Sequence, residues 1–394
     1  MSLQIYDDRE RALVGAADKA LAVLSTMVRP FRRRTREPNP RRILVLRLER
    51  IGDLLMALPA LADLRSLAGS ADIDLVVGEW NLSLARAIPS VTRVEALSAR
   101  WLARGSHGDH GWGVPGLLWA AMRWRARRYD LAINLEPDVR SNLLLAAAGS
   151  RWCAGWASGG GGPLLDLALD FDPRAHTSEN ARRLVATTFQ ELPTAPPVPN
   201  LVIPDDAARD ADGRLRRRTP GPLIGIHASG GRHVKQWEPA RFAEVAGRLA
   251  RQLNATIVLT GGPGDRALVD VVRSAVPPEQ VIDVAGELDL VNLAAVVQRL
   301  NVLVTGDTGP MHVATAVGTP VVAIFGASQP VRYGPQGPLD RIVRVELPCS
   351  PCNRIRLPPQ RCAERIPDCL AYISSSRVFD ATVSALSAST HASA

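Results

Sequence analysis

Short apolar runs recur along most of the chain, each ended by a turn rich in Gly, Asp or basic residues and followed by a stretch with apolar residues three and four apart. The runs predict strands buried on both faces, and the stretches between them predict amphipathic helices. In the first half the strands fall at 43–48, 73–77, 91–97 and 130–135, with helices over 54–67, 82–88 and 117–128. In the second half five strands, at 223–227, 255–260, 281–284, 300–304 and 321–325, again alternate with helices. Strict alternation of this kind predicts an α/β protein with a doubly wound parallel sheet in each half.

The breaks in the pattern set the domains. Residues 1–40 read as an extension: 13–28 has apolar residues at helical spacing, and Arg32, Arg33, Arg34, Arg36, Arg41 and Arg42 crowd the segment after it. A first domain is expected over 41–195, a linker over 196–215, a second domain over 216–386 and a frayed tail over 387–394. Pro193, Pro196, Pro197, Pro199 and Pro204 suit an extended connection. The four consecutive glycines in 158–162 suit a mobile loop. The last helix, near 376–386, is expected to return to the first domain.

Charge narrows the partners. With 394 residues and a formal charge of +8, the chain is drawn to something anionic. Nucleic acid is disfavoured, because aromatics do not interleave with the basic clusters and no nucleic-acid-binding motif is present. The first residues lack the apolar core of a secretory signal, and the longest uncharged stretch, 308–331, is broken by Gly318, Pro320 and Gly326. A cytoplasmic protein is expected. Its basic extension suits either the anionic cytoplasmic face of an inner membrane or a leader packed on the first domain.

Candidate chemistry gathers at strand ends. After the strand at 300–304, Gly306 and Gly309 allow a sharp turn and Pro310 is expected to open a helix, whose free amides and dipole suit a phosphate. Asp307, Thr308 and His312 stand around that turn. The loop after 223–227 offers glycine backbone with Arg232 and Lys235, and Asp265 follows the strand at 255–260, placed to meet a ribose or to cap a helix. In the first half Asp53 opens a helix at the end of the first strand. Glu136, Asp138 and Arg140 follow the fourth strand, either lining a pocket or serving as surface charges. No Gly-x-Gly-x-x-Gly follows a strand, and no Gly-x-x-x-x-Gly-Lys-Ser/Thr occurs, which disfavours NAD-dependent and P-loop enzymes.

Arg47, Ile51-Gly52-Asp53 and the following Leu-Pro-Ala-Leu resemble the opening of glycosyltransferase family 9, the ADP-heptose:lipopolysaccharide heptosyltransferases. Lys235-Gln236-Trp237, Gly261-Gly262-Pro263 and Asp307-Thr308-Gly309-Pro310-Met311-His312 resemble that family's donor-site motifs in the same order. The resemblance implies the GT-B architecture, two Rossmann-like domains facing across a cleft. It also implies inverting transfer of a heptose or related sugar from an ADP-sugar to a hydroxyl of a lipopolysaccharide core or similar glycan. Asp53 would then be the general base, with Arg47 and Gly52 beside it in the substrate site. Lys235, Asp307, Thr308 and Gly309 would hold the donor phosphates, His312 would position the donor, and Asp265, one methylene shorter than the family's usual Glu, would reach the nucleoside. No cofactor is implied for catalysis. Two other readings share the architecture: a nucleotide-sugar epimerase and a non-catalytic nucleotide-sugar-binding protein.

Cys349, Cys352, Cys362 and Cys369 form Cys-x₂-Cys-x₉-Cys-x₆-Cys, and Cys153 stands apart. Four sulfurs in a loop with little apolar core suit a structural Zn or Fe site, and equally free thiols or isolated disulfides.

Overall fold

The computed structural model describes residues 3–4, 7–28, 39–98, 113–191 and 201–392. The chain forms two compact units, Met1–Asn200 and Leu201–Ala394.

Among the described residues the first unit holds six parallel strands: β1 (Arg42–Arg47), β2 (Asp72–Gly78), β3 (Arg93–Leu97), β4 (Leu131–Asn134), β5 (Trp152–Trp156) and β6 (Leu167–Leu169). Their order is β3-β2-β1-β4-β5-β6. Ile43, Leu44, Val45 and Leu46 of β1 have no exposed surface, as expected for a strand covered by helices on both faces. β5 and β6 lie outside the sequence expectation. Trp-Cys-Ala-Gly-Trp contains no β-branched residue, and β6 is only three residues long.

The second unit repeats the plan with β7 (Leu223–His227), β8 (Thr256–Thr260), β9 (Val281–Asp283), β10 (Val302–Gly306), β11 (Val321–Ile324) and β12 (Arg341–Val343). The order is β12-β11-β10-β7-β8-β9, so a sixth, short edge strand joins the five expected. In both sheets the strand order reverses between the first strand and the fourth, at β1/β4 and at β7/β10. Ligands of open parallel sheets bind outside the carboxyl ends of the strands at that reversal.

Several expectations are corrected. Within the expected linker, 205–214 is not extended: helix Asp205–Arg214 packs on helix Leu290–Gln298 and is tied down by Arg299 Nε donating to Asp212 Oδ1 at 2.6 Å. Pro193 to Pro199 lie outside the described residues. Helix Ser375–Ala392 continues through most of the expected frayed tail. It buries Val378, Phe379 and Ala385 against helix Pro239–Leu253 and strands β10 to β12 of its own unit.

The glycine-rich loop is packed, not mobile. A Cβ on Gly159 would lie 1.9 Å from the Pro137 carbonyl oxygen, and one on Gly160, at φ +93°, would lie 2.3 Å from Val14 Cγ1. Only glycine lets this loop approach the Pro137 backbone and the Val14 side chain so closely. Val14 belongs to helix Asp8–Val28, and Asp18 of the same helix accepts the Gly161 N–H at 2.6 Å. The helical part of the extension therefore packs on the first unit. The arginine-rich segment at 29–38 lies outside the described residues.

Candidate functional site

Both candidate clusters sit at the reversals of strand order. In the first unit, β1 ends at Arg47 and a short turn leads into helix Ile51–Met56, with Gly52 and Asp53 in its first turn. Arg47 is 3% exposed and its donors are committed to protein groups: Nε to the Asp53 carbonyl at 2.9 Å and Nη1 to the Leu135 carbonyl at 2.6 Å. The same guanidinium lies 2.9 Å from Glu49 Oε2 and 3.8 Å from Asp53 Oδ1. Arg47 thus braces the turn from behind. Asp53 also accepts the Arg50 N–H at 3.2 Å, and its side chain stays 26% exposed, open to a reactant.

Glu136, just past β4, fits neither of the roles considered for it. It is 1% exposed, and its Oε1 accepts the N–H groups of Leu48 and, at 2.9 Å, Glu49, while Ser141 Oγ donates to Oε2. It is a clamp that fastens the turn after β1 to the end of β4. Burial pushes its carboxyl up to about 7, against the Ser141 hydrogen bond and the Arg47 charge. Asp138 and Arg140 pair with each other, Nε to Oδ1 at 2.9 Å. Glu49 was not singled out in the sequence. The signal was its place among charged residues in the turn, between Arg47 and Asp53.

In the second unit, Gln236 closes the loop after β7: its Oε1 accepts the Gly230 N–H at 2.5 Å and its Nε2 donates to the Ala228 carbonyl at 2.5 Å. The next residue back, Lys235, reaches Asp307 after β10, Nζ to Oδ2 at 2.7 Å. Burial raises the Asp307 carboxyl, but the charge and hydrogen bond of Lys235, with smaller contributions from neighbouring groups, together hold it below the usual carboxylate range.

Helix Gly309–Val317 follows with Thr308 as its N-cap, which moves Pro310 to the second helical position instead of the expected first. The Thr308 hydroxyl contacts Thr305 Oγ1 at 3.1 Å and does not cap the helix, so no side-chain cap competes for its first amides. His312 is buried in the same turn. Asp265 takes the Gly262 N–H at 2.8 Å within a 3₁₀ turn, and its side chain makes no cap to helix Arg266–Arg273 that follows. His227, at the end of β7, is buried against Thr260 Oγ1 at 3.1 Å, and burial pushes it down to about 4, so the ring is neutral at pH 7.

A Zn or Fe site is one of the readings open for the four cysteines, beside free thiols and disulfides. Among the described residues no three His, Cys, Asp or Glu side chains are arranged to hold a metal ion. Cys369 is turned into the core of the second unit, whereas Cys349 is exposed. Burial, then the nearness of Cys352, pushes the Cys369 thiol up to about 11. Also among the described residues, no helix is long and apolar enough to cross a membrane.

The family model described as glycosyltransferase family 9 (heptosyltransferase) matches residues 119–361. The lipopolysaccharide core heptosyltransferase OpsX of Haemophilus influenzae is 24% identical over 311 residues, covering 78% of this chain and 85% of that protein. Among solved structures, the E. coli ADP-heptose lipopolysaccharide heptosyltransferase II superposes with a TM-score of 0.72 at 23% identity, covering 89% of this chain and 99% of that one. The dodecameric iron-containing glycosyltransferase TibC of enterotoxigenic E. coli superposes at 0.53 with 14% identity, covering 89% of this chain and 77% of that one. The two doubly wound sheets are those of the GT-B architecture. With the match spanning more than half of its length, the chain belongs to glycosyltransferase family 9, the heptosyltransferases, and is a glycosyltransferase.

Proposed function

We propose that this enzyme transfers a heptose from ADP-heptose to a hydroxyl of a lipopolysaccharide-core acceptor, with inversion at the anomeric carbon and Asp53 as general base. In a single displacement the acceptor oxygen attacks the anomeric carbon as its proton passes to the Asp53 carboxylate. The bond from that carbon to the phosphate oxygen breaks, and the electron pair leaves on ADP. Such a step needs a base for the acceptor and positive potential for the leaving diphosphate.

The observation that carries the reading is the Lys235–Asp307 pair beside the uncapped amino terminus of helix Gly309–Val317. Lys235, the Thr308 hydroxyl and the Gly309 amide would take the diphosphate. Asp307 acts through Lys235, since a carboxylate facing a phosphate would repel it. His312 would position the donor, and Asp265 would meet the nucleoside. Arg47 and Gly52 serve the base: the first braces it, and the second keeps the helix entrance free of a side chain. The lipopolysaccharide heptosyl transfer named for the H. influenzae relative supports this donor and acceptor class.

Such an acceptor is lipid-linked, and one surface of the first unit suits an anionic bilayer on the cytoplasmic face of the membrane. Trp119 and Met122 are 56% and 44% exposed on helix Val114–Arg123, with the Arg123 guanidinium 5.5 Å from the Trp119 ring centroid and exposed Arg125 and Arg128 beyond.

The test is incubation of the purified enzyme with ADP-heptose, with and without a heptose-deficient core acceptor, followed by mass spectrometry. The expected result is acceptor mass increased by one heptose, with ADP released only when acceptor is present. An isomerised nucleotide-sugar formed without acceptor would point to an epimerase, and binding without turnover to a non-catalytic protein.

A further inference from the structure

Asp53 is not the sole carboxylate on its brace. Arg47 Nη1 lies 2.9 Å from Glu49 Oε2, and Arg47 Nη2 lies 3.8 Å from Asp53 Oδ1, so two carboxyl groups share one guanidinium. The side chains are 29% and 26% exposed, so neither is free in bulk water. The backbone under Glu49 is fixed as well: Trp80 Nε1 and Asn81 Nδ2 both donate to its carbonyl at 2.9 Å, and Glu136 accepts its N–H.

The charge balance in this cluster is unfavourable to full ionisation. Glu49 faces Asp53, Glu136 and Asp138, and the Arg47 guanidinium lies against it; Arg140 is occupied with Asp138. Three carboxylates around one guanidinium would leave an excess of negative charge in a half-buried turn, which favours retaining a proton on one of them.

We infer that Glu49 is a positioning carboxyl for the base, sharing Arg47 with Asp53 and setting by its own charge how strongly Asp53 draws the acceptor's proton. This rests on the reading of Asp53 as the base. While Glu49 is neutral, Arg47 acts mainly on Asp53 and weakens it as a base. When Glu49 ionises, it takes up part of the Arg47 charge and adds a negative charge beside Asp53, which strengthens Asp53 as a proton acceptor. No new bond is involved. The proton still moves from the acceptor hydroxyl to Asp53 and afterwards to water. Burial, then Asp53, pushes the Glu49 carboxyl up to about 8, which sets where the change is expected.

The experiment is the pH dependence of the single-turnover rate for the wild type and for Glu49→Gln and Glu49→Asp, with ADP affinity measured by calorimetry on the same preparations. In the wild type the rate is expected to rise about threefold as pH passes through the Glu49 titration. Glu49→Gln should lose that rise and stay at the lower plateau with ADP affinity unchanged, and Glu49→Asp should keep a displaced rise. A rise that persists in Glu49→Gln, a wild type without one, or a Glu49→Gln protein that loses rate and ADP affinity together would overturn the inference. Wild-type turnover in Asp53→Ala would instead show that the assignment of the base had failed.

Discussion

Lys235 Nζ lies 2.7 Å from Asp307 Oδ2, joining the loop after β7 to the loop after β10 where the strand order of the second sheet reverses. The pair is largely buried, and the contact holds both side chains in place. On the proposed donor reading, Lys235 would meet a diphosphate already oriented, at little further entropic cost.

Removing one partner should separate binding from stability. Lys235→Ala leaves a buried carboxylate without its cation, and a loss of about 3 kcal/mol in unfolding free energy is expected. ADP affinity should fall at least about tenfold, as expected for loss of one charge-assisted contact. Lys235→Ala combined with Asp307→Ala should recover much of the stability but none of the ADP affinity. Denaturant titration and calorimetry on the two variants measure both. Wild-type ADP affinity in Lys235→Ala would remove this lysine from the donor site.

Two glycines, one in each unit, give a sharper contrast. Gly159→Ala would place a Cβ 1.9 Å from a backbone oxygen that cannot move alone, and a loss of more than about 3 kcal/mol or failure to fold is expected. At Gly213, inside helix Asp205–Arg214, nothing lies within 4 Å of the new Cβ. Alanine there should stabilise by about 0.5 kcal/mol through helix propensity. Thermal unfolding of the two variants should therefore move in opposite directions.

Glu136 makes a pH-dependent contribution whose sign is fixed by its proton. Folded, it keeps that proton up to about 7, whereas its ordinary value is 4.5. Between those values the folded chain binds the extra proton, so the stability from this group is complete below about 4.5 and is lost as pH rises through about 7. Glu136→Gln cannot ionise and can still accept the Leu48 and Glu49 N–H groups. Its melting temperature should fall less than the wild type's between about pH 5 and pH 8. Parallel slopes would contradict the role given to Glu136.

Contact with an anionic membrane is tested with vesicles. The full chain should sediment with vesicles containing phosphatidylglycerol and less with phosphatidylcholine alone, and Trp119→Ala with Arg125→Glu should weaken that binding several-fold, each basic residue near such a surface contributing about 1 kcal/mol. Binding unaffected by the double substitution would place the contact elsewhere.

Strands such as β1, β7 and β10 were legible because both faces are covered and most of their positions are apolar. β5, β6 and β12 were not, because a short strand at or near a sheet edge carries little pattern. The glycines of 158–162 misled for a physical reason: absent side chains suit mobility or close packing equally, and sequence cannot tell which backbone approaches. At the site, the position of Asp53, Lys235 and Asp307 at strand ends followed from the alternating pattern. Their partners did not. That Lys235 meets Asp307, that Arg47 is turned inward, and that Glu136 clamps a turn 87 residues away are long-range facts, set by strand order and not by spacing along the chain. The cysteines show the limit of spacing most plainly, since Cys369 is recruited to the core while Cys349 stays outside.

The most direct measurement is single-turnover transfer by Asp53→Ala, with ADP-heptose affinity determined on the same protein. Removing a general base should lower the rate by about 10²–10⁴ while donor affinity stays close to wild type. Transfer at the wild-type rate would contradict the assignment of Asp53 as the residue that takes the acceptor's proton.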